Sequence, residues 1–219
     1  MRMARNIVVC CVLVLAIVAG CSHQQVTRTI ISIKQALDSY NKARTQPLAI
    51  RTLINTDYKQ KTNANRVHTE WSLMFNEATP AVFDGAMTFL QSQAVLGIVT
   101  VDLGMTYATW KHVKYLSEVV NGLDHTGQGG SSFSQRLQEY GTVSGMSAEN
   151  LLDNSINAKK ADHLNTDFTI DDGVASRGHR TNNYQPSFTK VGLGLFKGPN
   201  NKEYYGMTFA AGYTCTICS

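Results

Sequence analysis

The chain has 219 residues, with 20 Lys+Arg against 16 Asp+Glu, a formal net charge of +4 and 43% hydrophobic residues. So small a charge excess, with its basic residues scattered, argues against nucleic acid as a partner, because binding a polyanion needs clustered Lys and Arg. The length suits one domain large enough to bury a real core.

The chain opens with Arg2 and Arg5 and no acid before Asn6, followed by an almost unbroken apolar run from Ile7 to Ala19. That is the layout of an export signal. The run is shorter than the roughly 20 apolar residues a spanning helix needs, and no later stretch approaches that length. Val18-Ala19-Gly20 leads to Cys21 and resembles the lipobox of bacterial lipoproteins. The resemblance implies that Cys21 carries acyl chains and anchors the mature chain to a membrane, with ordinary secretory cleavage nearby as the alternative. Residues 1–20 are thus expected to be a leader and 21–32 a polar tether, with residues 22–29 especially polar. Losing the leader removes Arg2 and Arg5, leaving 18 Lys+Arg against 16 Asp+Glu, a net of +2.

Order is expected near Ile30. Ile30, Ile33, Leu37 and Tyr40 recur at helical spacing, and Pro47 requires that this helix has ended. Residues 55–69 read as a polar loop. Thr79-Pro80 opens a second helix through Val82, Phe83, Ala86, Met87 and Leu90. A third is predicted from the stripe Leu103, Tyr107, Trp110, Val113, Leu116 and Val120, stopped by Gly122. After the flexible Gly127-Gln128-Gly129-Gly130, Ser132 and Gln135 form a capping-box pattern for a short helix through Phe133, Leu137 and Tyr140, closed by Gly141. Residues 156–172 predict a fifth helix, with Ile156, Leu164 and Phe168 inward, Lys159 and Lys160 outward, and Gly173 at its end. Lys190–Phe196 and Glu203–Phe209 read as a hairpin around Gly198-Pro199-Asn200-Asn201. Helices first and strands late predict an α+β layered domain.

The five cysteines exclude a multi-disulfide framework: Cys10 and Cys11 leave with the leader, and Cys21 is the lipidation candidate. Cys215 and Cys218 form a Cys-x-x-Cys that can be a redox pair, half of a zinc site or a simple disulfide. A simple disulfide is favoured, since the redox motif belongs at the start of a helix. Among the six histidines, His125 in Leu-Asp-His-Thr-Gly and His179 in Ser-Arg-Gly-His-Arg stand in unusual segments, with Glu149 between them in Ser-Ala-Glu-Asn-Leu. Imidazole nitrogen and carboxylate oxygen suit zinc or a similar divalent ion if they converge; the alternative is that each histidine hydrogen-bonds a loop. Arg177 and Arg180 flank His179, either holding it neutral or bracing Asp171 or Asp172. His23, His68, His112 and His163 are read as surface or helix-packing residues, and Asn182 and Tyr184 as ordering the loop after His179.

Segments 123–140 (LDHTGQGGSSFSQRLQEY), 145–151 (GMSAENL), 171–180 (DDGVASRGHR) and 191–195 (VGLGL) resemble successive blocks of the CAP superfamily of cysteine-rich secretory proteins, venom antigens and pathogenesis-related proteins, in its SCP-like branch. Residues Tyr40–Pro47 resemble the family's opening helix, and Phe209–Tyr213 its last strand and exit. The resemblance implies a three-layer α-β-α sandwich over residues 33–214, followed by a C-terminal Cys-x-x-Cys tail at 215–219. It also implies a groove of two histidines and two acids able to bind a divalent metal such as Zn2+. By position these are His125, Glu149, His179 and, as the fourth, Asp172. Ala148 stands where the family has glycine before the glutamate, which puts that turn in question.

The resemblance further implies an exported binding or interaction protein, extracytoplasmic and secreted or lipid-anchored, whose extracellular ligand it leaves open between a lipid, such as a sterol or fatty acid, and a partner. Two alternatives use the same residues: a metal-assisted hydrolase with Glu149 as general base, and a purely structural tetrad. The chain has no His-Glu-x-x-His and no Gly-x-Ser-x-Gly, which weighs against catalysis.

Overall fold

The structure, a computed structural model, describes residues 23–62, 80–154, 161–199 and 202–218. The segment expected to be an export signal and Cys21 lie outside them, as do Ile156, Lys159 and Lys160. No helix among the described residues is long and apolar enough to cross a membrane.

The first helix, α1, runs His23–Thr45, so the stretch expected to be a tether is helical from His23. Pro47 ends α1 and also opens α2, Pro47–Thr62. The second role fits proline's tolerance at the first helical position, where its missing N–H has no partner to lose. The loop expected from residue 55 is therefore helix as far as Thr62. Ile50 and Ile54 of α2 join Phe83, Ala86, Met87 and Leu90 of α3 (Pro80–Ser92) in one buried cluster. Near the end of α1, Arg44 is 1% exposed. Its guanidinium donates to the carbonyls of Gly97, Asn183, Gln185 and Phe188 at 2.9 to 3.3 Å. Those bonds offset the cost of burying the charge and tie α1 to two distant loops.

Four strands form one sheet in the order β1-β3-β4-β2: β1 Thr100–Val101, β2 Gly141–Asn154, β3 Lys190–Lys197 and β4 Glu203–Cys215. β1 pairs parallel with β3, and the other pairings are antiparallel. The β3–β4 hairpin matches the sequence reading, but β4 continues past Phe209 to Cys215. The long edge strand β2 has no counterpart among the predicted elements. It carries a register shift between Ser144 and Ser147. Ala148 lies in regular pairing with Phe209, so no turn precedes Glu149.

Side-chain alternation assigns the two faces of the sheet. Val191, Leu193, Tyr205, Met207 and Phe209 pack against Ala36 and Tyr40 of α1 and against Leu164 and Phe168 of α6 (Ala161–Ile170). On the other face lies α4, Leu103–Tyr115. A Cβ at Gly192 would sit 2.4 Å from the main-chain carbonyl carbon of Met105, and one at Gly194 would sit 2.7 Å from that of Thr109. The helix backbone therefore rests directly on β3. This approach selects Met105, Ala108, Thr109, His112 and Val113 as the buried face, while Tyr107 and Trp110 stack half-buried at 6.1 Å. Of the expected stripe, Val113 and Leu116 are buried, whereas Tyr107 and Trp110 are turned partly out of the core. The helix passes into a π turn at Leu116–Val120 and ends at Asn121, φ 57°, one residue before Gly122.

Helices on both faces of a mixed sheet make this an α+β, three-layer α-β-α domain, as expected. Gly192→Ala should lower stability by roughly 1–3 kcal/mol, the usual cost of overpacking. Urea denaturation measures it, and an unchanged midpoint would show that α4 does not rest on β3.

Candidate functional site

Glu149 pairs with Thr208 across the β2–β4 ladder, and the Thr208 hydroxyl meets that of Thr109 in α4 at 2.8 Å. Glu149 therefore points to the α4 side and is 6% exposed. Both of its oxygens are engaged. Arg136 Nη2 donates to Oε1 at 2.6 Å, and His125 Nδ1 meets Oε2 at 2.8 Å. Arg136 sits on α5, Phe133–Gln138, which Ser132 and Gln135 open with the expected capping box. Its Nη1 also donates to the carbonyls of His125 and Ser131 at 3.0 and 2.9 Å. One guanidinium thus fixes both the carboxylate and the loop that carries the histidine.

His112, read as a surface or helix-packing residue, is buried on the last turns of α4. Its Nε2 donates to the Asp124 carbonyl at 2.9 Å and stands 3.9 Å from Glu149 Oε2. Since a carbonyl only accepts, the proton is on Nε2. Burial pushes the His112 pKa below its ordinary value despite the pull of Glu149. His125 is shifted the opposite way: its hydrogen bond to Glu149 raises its pKa, against partial desolvation. Two imidazoles beside one carboxylate are thereby set to different protonation behaviour.

The second carboxylate–imidazole pair forms where α6 ends. Asp171 follows Ile170 in left-handed backbone, φ 58°, a position usually taken by glycine. A carboxylate there turns back into the fold. Oδ1 meets His179 Nδ1 at 2.8 Å, and Oδ2 accepts from the Arg180 N–H at 3.1 Å. Asp171, and not Asp172, is thus the carboxylate that holds His179. Asp172 accepts from its neighbour Gly173 N–H at 3.0 Å. The sequence pattern hides this because it runs the helix to Gly173. Arg180 donates to the carbonyls of Thr169 and Ile170, and Arg177 to those of Asp171 and Val174. Both guanidiniums therefore brace the α6 exit through main-chain oxygens rather than through a carboxylate.

Consecutive residues of β2 link the two pairs. Glu149 holds the His125 ring, while Asn150, pointing to the opposite face, donates to the His179 carbonyl at 3.2 Å. Asn150 also bonds Asn183 at 3.1 Å and Asn182 at 2.8 Å, which anchors α7, Gly178–Asn183. Asn182 orders this segment as expected. Tyr184 follows it and is buried against Thr169.

In each pair the carboxylate occupies Nδ1, so Nε2 is the nitrogen left to face a ligand. This is the way metal-binding histidines are commonly oriented by an outer carboxylate. The four groups do not close into a compact cage. Among the described residues only Asp102, Cys215 and Cys218 bring three such ligand atoms within 4.8 Å of one another. The roles expected of His23, His68 and His163 fall outside the described side chains.

No protein-family model matches the chain. No curated protein matches it either. Similar solved structures include an outer surface protein from Borrelia burgdorferi, 13% identical, covering 65% of this chain and 95% of that one at a TM-score of 0.43. Another is an extracellular protein containing an SCP domain from Bacillus anthracis, 18% identical, covering 66% of this chain at a TM-score of 0.40. The chain spans 44% of the length of that second protein.

Replacing Glu149 should separate these roles. Glu149→Gln strands the Arg136 guanidinium and should cost about 3–5 kcal/mol in urea denaturation, as for other broken buried ion pairs. It should also return the His125 titration, followed by NMR, to a lower pH. The raised pKa contributes stability fully present below the unfolded-state value and lost as pH rises through the folded one. That pH dependence should vanish in the variant, and its persistence would remove Glu149 as the cause.

Proposed function

We propose that the chain is an exported binding or interaction module in which His125 and His179 present Nε2 to a divalent cation such as Zn2+. The supporting observation is the pair of carboxylate–imidazole hydrogen bonds, Glu149 to His125 and Asp171 to His179, both at 2.8 Å and both through Nδ1. Neutral imidazole nitrogen suits zinc, and two protein nitrogens leave the remaining positions to water or a ligand. Glu149 and Asp171 act as orienting groups, and Asp172 has no part in the site. The engagement of both Glu149 oxygens weighs against its use as a general base and favours binding over hydrolysis.

Just before His125, Val119, Val120 and Leu123 are 67%, 39% and 45% exposed. These exposed apolar side chains, close before the histidine in sequence, support a lipid, of the sterol or fatty-acid kind, or a partner as second ligand. The apolar run after Arg2 and Arg5 and the lipobox-like Val18-Ala19-Gly20-Cys21 support a module outside the cytoplasm, secreted or held at a membrane.

Zinc calorimetry on the mature domain tests the reading. Wild type should bind one ion, and His125→Ala and His179→Ala should each weaken binding by at least about tenfold, the scale of losing a supporting group or more. Affinity should fall as pH drops through the raised His125 pKa, where the proton competes with the metal. Metal-dependent peptide hydrolysis would instead support the hydrolase, and destabilised variants with no zinc heat in any protein the structural network.

A further inference from the structure

Cys215 and Cys218 are joined in a disulfide at the end of β4, and a third potential ligand stands beside them. An oxygen of Asp102 and the two sulfurs lie within 4.8 Å of one another, alone among His, Cys, Asp and Glu trios of the described residues. Both sides of this trio are anchored. Asp102 caps α4, Oδ1 accepting from the N–H groups of Gly104 and Met105 at 2.9 and 3.3 Å, so its second oxygen can turn toward the sulfurs. Cys215 pairs with Gly141 in the sheet, and Thr216 N–H donates to the Tyr140 carbonyl at 2.9 Å. Its sulfur lies against the first turn of α4, 3.1 Å from where a Cβ on Gly104 would stand.

The anchors do not depend on the sulfur–sulfur bond. Cys215 is held by the sheet and by packing with Met105, Leu137 and Tyr213, whereas Cys218 is exposed. Opening the bond therefore leaves one sulfur fixed and the other reachable. A disulfide is uncharged and a poor ligand, but two thiolates and a carboxylate are a donor set for a borderline-soft ion, with water in the fourth position. The helix N-terminus adds a field that favours anionic sulfur.

We propose that Asp102, Cys215 and Cys218 form a redox-gated metal site, closed as the disulfide and opened by an external dithiol to a thiophilic divalent cation such as Zn2+ or Cd2+. In the opening step the sulfur–sulfur bond breaks. The two sulfurs take up two electrons and two protons, and the dithiol is oxidised to its own disulfide. In the binding step the cation displaces the two thiol protons to solvent and forms two metal–sulfur bonds.

The test uses the mature chain without residues 1–20, carrying Cys21→Ser so that Cys215 and Cys218 are its sole cysteines and His125→Ala/His179→Ala to silence the other candidate site, titrated with Cd2+ alone. Half the sample is reduced with excess dithiol and desalted without oxygen. The reduced chain should develop ultraviolet thiolate-to-cadmium absorption saturating at one ion, and the oxidised chain none. Cys218→Ser should abolish it. Asp102→Asn, which keeps a good helix cap, should weaken it by roughly 10- to 100-fold. Three results would overturn the proposal: no absorption in a reduced chain that circular dichroism shows folded, unchanged affinity in Asp102→Asn, or loss of the fold on reduction, which would mean that the anchors fail.

Discussion

The buried ion pair between Arg136 and Glu149 is the constraint on which one half of the site depends. Taking a guanidinium and a carboxylate out of water costs several kcal/mol per ion unless their remaining hydrogen-bonding capacity is met. Here it is met by nearby groups that also belong to the candidate site: the carbonyls of His125 and Ser131, and the His125 ring. The desolvation that makes the pair costly to break also fixes the loop from Asp124 to Ser131, and with it the direction of one imidazole. His112 holds the same loop from the other side through the Asp124 carbonyl. Stability and site geometry are thus set by the same few atoms.

The other half follows different physics. Asp171 adopts a backbone conformation that disfavours a side chain, and its carboxylate meets the His179 ring and the Arg180 N–H. Asp and Asn tolerate left-handed backbone better than other non-glycine residues. A glycine would adopt it with less strain but could hold neither group. The two halves meet at β2, where alternation sends Glu149 to one face and Asn150 to the other. An insertion between them would reverse one of these directions.

Much of this is legible in the sequence, and the exceptions have identifiable causes. The blocks around His125, Glu149 and His179 mark the segments that build the candidate site, and the capping box and hairpin appear where their local chemistry requires. The stripe on α4 holds at Val113 and Leu116 and misleads at Tyr107 and Trp110, because Gly192 and Gly194 accept the helix backbone itself, so small and polar residues face β3 and the aromatics are displaced. Pro47 reads as a stop, although proline at a first turn equally signals a start. β2 lacks apolar alternation because Glu149 and Asn150 are buried for their hydrogen bonds rather than for transfer from water. Arg136 gives no signal, since an arginine on a short helix ordinarily faces solvent. Its partners come from three separate places in the chain.

The position of β2 at the sheet's margin bears on association between copies. No described strand pairs with the far side of this long strand, and such an edge invites another chain to add on by backbone pairing, the usual route to fibres. The slip in register between Ser144 and Ser147 breaks that rim into two short segments that one straight visitor cannot match together. The irregularity thus discourages self-templating, a useful property in any protein that is crowded against copies of itself.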